Sequence, residues 1–539
     1  MNSIKDLKPT AIWQNFYKLT QVPRPSNHEE QARKFMLEWA KENNIEAEID
    51  EVGNIIMRKP ATPGMENRKG VILQGHLDMV PQKNEDTDHD FEKDPIQAYV
   101  DGEWVRAKGT TLGADNGMGV AAGMAMLTAT DIPHGPLEVL ITATEETGMD
   151  GANGLKPGVL KGDILLNLDS ETEGELYVGC AGGLDSTIEF NYKEEAVPAQ
   201  VKAFRLGIKG LKGGHSGMDI NLGRGNSNKL LFRFLKTYAA ELGIRIASVS
   251  GGTLRNAIPR ESFALVVIPA ANETKLQAAI KEAEGIYKAE LSAKEPTLQV
   301  TAEACELPAS VIDECTQFRL TNSILACPNG AVRMIDSMPD TVETSNNLAI
   351  VRSEQGKIII NTLLRSSVET AKEALAQTIQ AVFELAKADK IMFDGDYPGW
   401  KPNPDSAILK EMQEIYEQLY GKKPAVMAVH AGLECGILGS KYTHWDMISF
   451  GPTICSPHSP DERVNIASVG KFWEYLKATF LLNKKRVLRD SFLCVPLQAL
   501  FYARISYRLY KLMNFINRFN SRFPPDSSDR ISSNKVFHF

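Results

Sequence analysis

The stretch VILQGHLDMV, residues 71–80, decides the fold, because it joins an apolar run to a closely spaced histidine and aspartate. Residues 71–73 form one of three short aliphatic runs, and helix-like or loop segments separate them from the other two, Leu137–Thr142 and residues 163–168. Strands that alternate with helices are typical of a mostly parallel sheet. We therefore expect an α/β fold in which a mixed, mostly parallel sheet is sandwiched by helices.

The sequence pattern changes near residue 186 and changes back near residue 400. Between these points the strands alternate in polarity and long amphipathic helices accompany them, which favours a sheet with one solvent-facing side. The Pro- and Gly-rich segment DGDYPGWKPNPDS, residues 394–406, precedes a return to the first pattern. The sequence thus predicts one domain formed by residues 1–186 and 400–482, interrupted by an inserted α+β domain of residues 187–399.

Bulk composition excludes several classes of protein. The chain has 539 residues, of which 43% are hydrophobic and 24% charged, as in a soluble protein of two or more domains. Its net charge of -8 argues against nucleic-acid binding, because no basic excess is available to neutralise phosphates. Neither a signal peptide nor a membrane span is expected from the apolar runs. Seven cysteines without CxxC pairs indicate reduced thiols and a cytoplasmic protein.

Residues 483–539 differ in composition from the rest of the chain. They carry 11 Lys and Arg against 3 Asp, and they contain no Glu. We expect an anomalous basic tail that is not part of the fold, as an altered reading frame would produce. The alternatives are a basic arm for an acidic partner and an amphipathic surface helix around residues 500–515.

The histidine and aspartate of the opening stretch are two residues apart. On a strand, His76 and Asp78 point to the same side, because side chains alternate with a period of two. A metal-bound imidazole needs its second ring nitrogen held, and a nearby carboxylate does this. Taken alone, the pair is better explained by a hydrogen-bonded core histidine, so the metal interpretation needs further ligands.

Three acidic residues lie in two further segments that offer such ligands. KGTTLGADNGMG places Asp115 in a glycine-rich turn before a helix, where one carboxylate could bridge two cations or simply cap the helix. Glu145 and Glu146 follow the second aliphatic run, and adjacent acids are costly to bury without a cation or a proton. Neighbouring side chains diverge, so we expect one to bind metal and the other to handle protons. The alternative is a solvated loop.

Asp169 and His458 complete the candidate set. Asp169 follows the third aliphatic run, and ligands of open α/β sheets bind outside the carboxyl ends of the strands. His458 lies in the Pro-rich segment SFGPTICSPHSPDE, residues 449–462. Singly they could be a strand-end cap and a surface-loop histidine. Together, two histidines and three carboxylates suit two zinc ions, although cobalt or manganese would accept the same ligands.

In their order and spacing, these motifs resemble the zinc-dependent exopeptidases that include carboxypeptidase G-type enzymes, aminoacylases and bacterial dipeptidases. The strings GHLDMVPQKN, KGTTLGADNG, TATEETGMDGA and SFGPTICSPHSPDE are similar to the Xaa-His dipeptidases of that family, and the similarity covers roughly residues 1–482. It implies a cytoplasmic di-zinc dipeptidase that prefers Xaa-His substrates, including β-alanyl-histidine. An N-acyl amino acid deacylase, a tripeptidase and a catalytically dead scaffold stay open as alternatives.

The resemblance also implies a role for each candidate residue. One zinc would be held by His76, Asp115 and Asp169, and the other by Asp115, Glu146 and His458. Asp78 would orient His76, and Glu145 would be the general base. The inserted domain would be a lid that could also form a homodimer, and its His215, in KGLKGGHSGMDI, would stabilise the oxyanion. The dipeptide substrate would contact Asn256, Arg365 and Gly432.

Overall fold

The computed structural model describes residues 3–490, with side chains up to residue 481, and Met1–Leu481 form one compact unit. Its α-helices are Thr10–Thr20, Glu30–Glu42, Ala114–Thr128, Glu145–Gly148, Asp150–Gly154, Ser227–Leu242, Glu273–Leu291, Glu314–Ala326, Glu369–Leu385, Ala407–Tyr420, Glu434–Lys441 and Ile466–Asp490. None of the helices within residues 3–490 has the length and apolar character that a membrane span requires. The predicted basic tail lies outside the described residues, apart from the helical backbone up to Asp490.

The first sheet has eight strands and contains the three predicted aliphatic runs. Its order across the sheet is Glu46–Ile49, Ile55–Lys59, Leu137–Thr142, Val71–His76, Ile164–Asn167, Asp446–Ser449, Glu175–Cys180 and Ala425–Val429. The third to sixth strands of this order run parallel, and Ile55–Lys59 is antiparallel to both of its neighbours in the sheet. The prediction of a mixed, mostly parallel sheet is confirmed.

Helices cover both faces of the first sheet, as predicted. On one face, Ile72 and Leu165 pack in the same apolar cluster as Ile437 of helix Glu434–Lys441. On the other face lies helix Ala114–Thr128, whose close approach requires a glycine in the strand beneath it. A Cβ atom at Gly75 would collide with the side chain of Asn116. The central strands are therefore buried on both sides, which explains why every position in them is buried and most carry an aliphatic residue.

The second sheet has nine antiparallel strands and is covered by helices on one face. Its order is Gln299–Cys305, Val201–Lys209, Ser262–Pro269, Arg245–Gly251, Met338–Glu354, Lys357–Ser366, Gly182–Asn191 and Lys390–Tyr397, with Gly330–Ile335 paired to Met338–Glu354. Burial alternates along Gly182–Asn191, as expected for a sheet with one wetter face. A separate apolar core joins this sheet to the helices that begin at Ser227, Glu273, Glu314 and Glu369.

Each large sheet uses its own stretches of chain. The first sheet lies within residues 46–180 and 425–449, and the second within residues 182–397. Small ladders connect loops, among them Gly214–His215 with Ala257–Ile258, and Arg463–Asn465 with Trp104–Ala107. The proposed division into a domain of residues 1–186 and 400–482 and an insertion of residues 187–399 stays a prediction.

Candidate metal centre

The parallel strands of the first sheet end at one edge, where the candidate residues collect. His76, the last residue of its strand, is paired in register with Thr142, the last residue of the neighbouring strand. Glu145 and Glu146 therefore lie just beyond the ends of both strands. Gln74 pairs with Asn167, which places Asp169 two residues beyond the neighbouring strand. Parallel pairing therefore brings together segments that are far apart in the chain.

One group of potential ligands surrounds the imidazole of His76. Its Nε2 atom lies 3.1 Å from Oδ1 of Asp115 and 3.3 Å from Oδ1 of Asp169. The ligand atoms of these three residues lie within 4.8 Å of one another. The His76 side chain is only 1% exposed, so this group sits on the floor of the site.

A second group shares Asp115 with the first. Nε2 of His458 lies 3.2 Å from Oδ2 of Asp115 and 2.9 Å from Oε2 of Glu146. Asp115 thus directs one carboxylate oxygen to each histidine, as a bridging ligand would. His458 has a side chain that is 53% exposed, so this group faces the opening of the site.

Asp78 is placed to orient its neighbours. Its Oδ1 accepts a hydrogen bond from the backbone N–H of Glu145 at 2.9 Å and lies 3.4 Å from Nδ1 of His76. Its Oδ2 accepts from the N–H of Glu146 at 3.2 Å and from the hydroxyl of Ser26 at 2.8 Å. Burial alone would raise the pKa of Asp78, but these bonds and the charge of His76 lower it to about 2. The carboxylate stays ionised.

Carboxylates and imidazoles at this edge strongly perturb one another. Hydrogen bonds to Asp115 and Glu146 raise the pKa of His458 to about 11. Burial raises the pKa of Asp169 to about 6, against the opposing charge of His76. Burial also raises the pKa of Glu145 well above its ordinary value, again opposed by His76. Such crowding of acids favours a positive charge at their centre.

The residues present fit a pair of divalent cations. Two imidazoles and three carboxylates form two overlapping ligand groups, and these are donor types that zinc accepts. A third group, formed by His76, Glu145 and Glu146, also satisfies the distance condition. Oε1 of Glu146 is buried and has no hydrogen-bond partner, which a bound cation would provide. The roles of the two histidines and three carboxylates as metal ligands stay a prediction.

His215 lies in the small ladder next to the second sheet. Its Nδ1 atom accepts hydrogen bonds from the backbone N–H groups of Gly217 and Met218, each at 3.1 Å. Burial and the positive charge of Arg365 lower its pKa, so the neutral ring is favoured. Because Nδ1 is occupied as an acceptor, the proton of the neutral ring resides on Nε2.

Arg365, Gly432 and Asn256 lie around His215. Arg365 is buried and places its guanidinium 3.4 Å from Oγ of Ser216 and 3.1 Å from the hydroxyl of Tyr397. Gly432 is close to the same Tyr397, since a Cβ atom there would lie 3.2 Å from its ring. The backbone carbonyl of Asn256 accepts from the N–H of Ser216, and its side chain is exposed.

These outlying residues are not joined directly to the ligand cluster. Within residues 3–481, no hydrogen bond or ion pair links His215, Asn256 or Arg365 to the five candidate ligands. Gly432 lies close to both regions, because a Cβ atom there would be 3.2 Å from the ring of Tyr397 and 3.5 Å from the side chain of Met149, just beyond the helix that carries Glu145.

Sequence reasoning missed several buried charged groups near the site. Glu434 is 1% exposed, and its Oε2 accepts from Gln74 and Thr142, each at 2.6 Å, beside the strand ends. Burial raises its pKa to about 7. Glu462 and Arg24, both buried, bind the turn that carries Asp115. For Glu462, the available signal in the sequence was its position four residues after His458, in a segment without the periodic pattern of a helix or a strand.

Comparison with known proteins gives matches along nearly the whole described chain. The model of peptidase family M20/M25/M40 matches residues 72–481. The cytosol non-specific dipeptidase of Escherichia coli (strain K12) is 48% identical over 476 residues, covering 88% of this chain and 98% of that protein.

Solved structures give the same picture. The crystal structure of aminoacylhistidine dipeptidase from Vibrio alginolyticus has a TM-score of 0.86 and 49% identity, and the match covers 89% of this chain and 98% of that one. Aminopeptidase PepT from Bacillus cereus has a TM-score of 0.52 at 15% identity, covering 89% of this chain and 99% of that one, and shares the fold alone.

Proposed function

Since the chain belongs to peptidase family M20/M25/M40, we propose that it is a metal-dependent dipeptidase that hydrolyses the peptide bond of dipeptides. The observation that carries the proposal is the convergence of two imidazoles and three carboxylates at one edge of the first sheet. An intact ligand cluster with the carboxyl group of Glu145 beside it favours an enzyme over a scaffold that has lost its catalytic residues.

We assign the metal ligands to the two groups described above. His76, Asp115 and Asp169 would hold one cation, and Asp115, Glu146 and His458 the other, with Asp78 orienting His76 through its Nδ1 atom. Zinc suits these donors, and cobalt or manganese would be accepted as substitutes. When bound, such cations lower the pKa of a water toward ~7 and polarise the substrate carbonyl.

Glu145 is the proposed general base. A carboxylate oxygen of Glu145 lies within 4.8 Å of ligand atoms of His76 and Glu146. Glu146, and not Glu145, contacts His458, so Glu145 is left free to handle protons. The backbone N–H of Glu145 donates to Oδ1 of Asp78, and this bond holds residue 145 at the end of the strand. Glu145 would take the proton of the attacking water and pass it to the leaving amine.

His215 is the proposed oxyanion donor. The two backbone N–H groups at Nδ1 leave an N–H on Nε2, which can donate to the negative oxygen that develops on the attacked carbonyl. We propose that the inserted domain closes over the substrate and so brings Nε2 of His215 to the attacked carbonyl.

We propose that the substrate lies between the strand ends and this closing domain. The buried guanidinium of Arg365 suits a bidentate grip on the free carboxylate of a dipeptide, and the exposed amide of Asn256 and the backbone at Gly432 would complete the contacts. Preference for Xaa-His dipeptides, β-alanyl-histidine included, is supported by the aminoacylhistidine dipeptidase at 49% identity.

Location and assembly are proposed on less direct grounds. A cytoplasmic location is supported by the relative that is called a cytosol dipeptidase. A homodimer formed through residues 187–399 is proposed on the family resemblance, and the five proposed metal ligands lie outside that range.

The test is hydrolysis by the purified full chain. We expect release of histidine from β-alanyl-histidine and other Xaa-His dipeptides, loss of activity on chelation, and recovery on adding Zn²⁺. N-acyl amino acids and tripeptides in the same panel separate the deacylase and tripeptidase alternatives. Turnover that survives complete chelation would refute the metal-dependent proposal.

A further inference from the structure

The turn of residues 112–115, which carries Asp115, is held by a carboxylate that belongs to the segment of His458. Oε2 of Glu462 accepts from the N–H groups of Leu112 at 2.7 Å and Gly113 at 3.0 Å. Its Oε1 accepts from those of Ala114 at 2.7 Å and Asp115 at 3.2 Å. Four successive backbone donors therefore converge on one side chain, which is only 2% exposed.

Arg24 binds the same turn through its carbonyl side. One terminal nitrogen donates to the carbonyls of Leu77 at 2.9 Å and Asp78 at 3.2 Å, and the other donates to the carbonyl of Gly113 at 2.5 Å. Arg24 is 3% exposed, and among the acidic residues around it Glu462 has the strongest electrostatic effect on its guanidinium. A buried pair of opposite charges thus clamps the turn from both sides.

The clamp connects the segments that supply ligands to both proposed cations. Arg24 joins the end of the His76 strand to the turn of Asp115, and Glu462 joins that turn to the loop of His458, four residues upstream. Neither side chain belongs to a ligand group of the centre, so both act through other residues. Removing either one would leave the ligands present but their spacing unfixed.

We infer that Glu462 and Arg24 are positioning residues that set the bridging geometry of Asp115 and hold His458 opposite it. The inference rests on the proposed function. Two carboxylate oxygens can receive four N–H donors, whereas an amide has one oxygen and a nitrogen that is itself a donor. Glu462→Gln therefore keeps the shape of the side chain but turns a donor toward two of the four backbone donors.

Glu138 provides the matched control. It is 5% exposed, and its Oε2 accepts from the N–H groups of Lys161 at 2.7 Å and Gly162 at 2.8 Å. It lies near the start of the strand Leu137–Thr142, at the opposite end from Glu145. Glu138→Gln makes the same chemical change to a buried glutamate that binds backbone amides, at a distance from the proposed cations.

The experiment measures Zn²⁺ stoichiometry and affinity in full-length wild type and both variants, by competition with a chelating indicator and by elemental analysis. We expect the wild type to bind two ions, Glu138→Gln to match it, and Glu462→Gln to bind at least one ion about 10–100-fold more weakly. Thermal melting is recorded in parallel. If the role of Glu462 were purely structural, both variants would be less stable than the wild type, and their Zn²⁺ affinities would be the same.

The outcomes separate the inference from the proposed function. A wild type that does not bind two ions refutes both. Equal Zn²⁺ affinities in the wild type and Glu462→Gln refute the inference alone. A loss of Zn²⁺ affinity in Glu138→Gln as large as that in Glu462→Gln also refutes it. If Glu462→Gln does not fold, Arg24→Lys tests the same clamp, because a single ammonium cannot reach the carbonyls on both sides. Wild-type Zn²⁺ affinity in Arg24→Lys would then refute the inference.

Discussion

Replacing His215 with alanine should slow the chemical step while leaving substrate and metal binding almost intact. The change removes an N–H that its neighbours have already oriented, since the bonds from Gly217 and Met218 fix the proton on Nε2. Loss of one oxyanion donor lowers kcat by about 10²–10³-fold in other hydrolases. The ring is half-buried, so water can replace part of its effect, and we expect about 10²-fold, or ~2.7 kcal/mol in the barrier.

The assay is steady-state hydrolysis of β-alanyl-histidine with kcat and KM determined separately. We expect a change of less than about threefold in KM, because the donor acts on the transition state more than on the bound substrate. Zn²⁺ content should equal that of the wild type. His444→Ala, which removes an exposed histidine away from both ligand groups, is the matched control and should keep the wild-type kcat.

The pH dependence adds a second check on His215. Burial and Arg365 lower its pKa from the ordinary 6.5, so the neutral ring that donates from Nε2 persists below that pH. As the pH falls from 8 to 6.5, the ratio of wild-type to His215→Ala kcat should therefore change less than it would for a histidine of ordinary pKa. A His215→Ala variant with an unchanged kcat, or one that loses its Zn²⁺, would refute the assignment of His215 as oxyanion donor.

Three further perturbations follow from the same geometry. Glu145→Gln should lower kcat by at least ~10²–10⁴-fold with unchanged Zn²⁺ content, since only the proton acceptor is lost; substantial turnover would exclude Glu145 as the base. Asp78→Asn leaves one of the buried N–H groups of Glu145 and Glu146 without an acceptor, which costs ~1–3 kcal/mol, and Zn²⁺ affinity measured by chelator competition should fall about 10–100-fold. Burial lowers the pKa of His430 from 6.5 to about 3, so its contribution to stability is complete above pH 6.5 and is lost as the pH falls toward 3. Urea unfolding of the metal-free protein from pH 6.5 to 4 should show a shallower decline for His430→Gln than for the wild type, by up to ~1.4 kcal/mol per pH unit, and equal slopes would contradict it.

The sequence predicts the strand-end residues well because their signals are local. An aliphatic run followed within three residues by an acid or a histidine marks the end of a buried parallel strand, as at His76 and Asp169. Parallel pairing then brings such ends together whatever their separation in the chain. Asp115 was predicted from its glycine-rich turn, and the structure places that turn between the two histidines.

The supporting contacts could not be predicted because nothing local encodes them. Glu462 binds amides some 350 residues earlier in the chain, and Glu434 meets Gln74 across 360 positions. A single acid in a loop gives no periodic pattern, so its partner is defined only once the segments around the first sheet have come together. His215 likewise takes its place through the ladder with Ala257 and the bonds to Gly217 and Met218, which residue spacing along the chain does not determine.

Zn²⁺ binding by the wild type and by His458→Ala tests the central claim most directly. Because His458 contributes to one ligand group and Asp115 to both, we expect two ions per chain in the wild type and one tightly bound ion in the variant. Fewer than two ions in the wild type, or two ions bound with unchanged affinity in His458→Ala, would contradict a two-metal centre at this edge of the sheet.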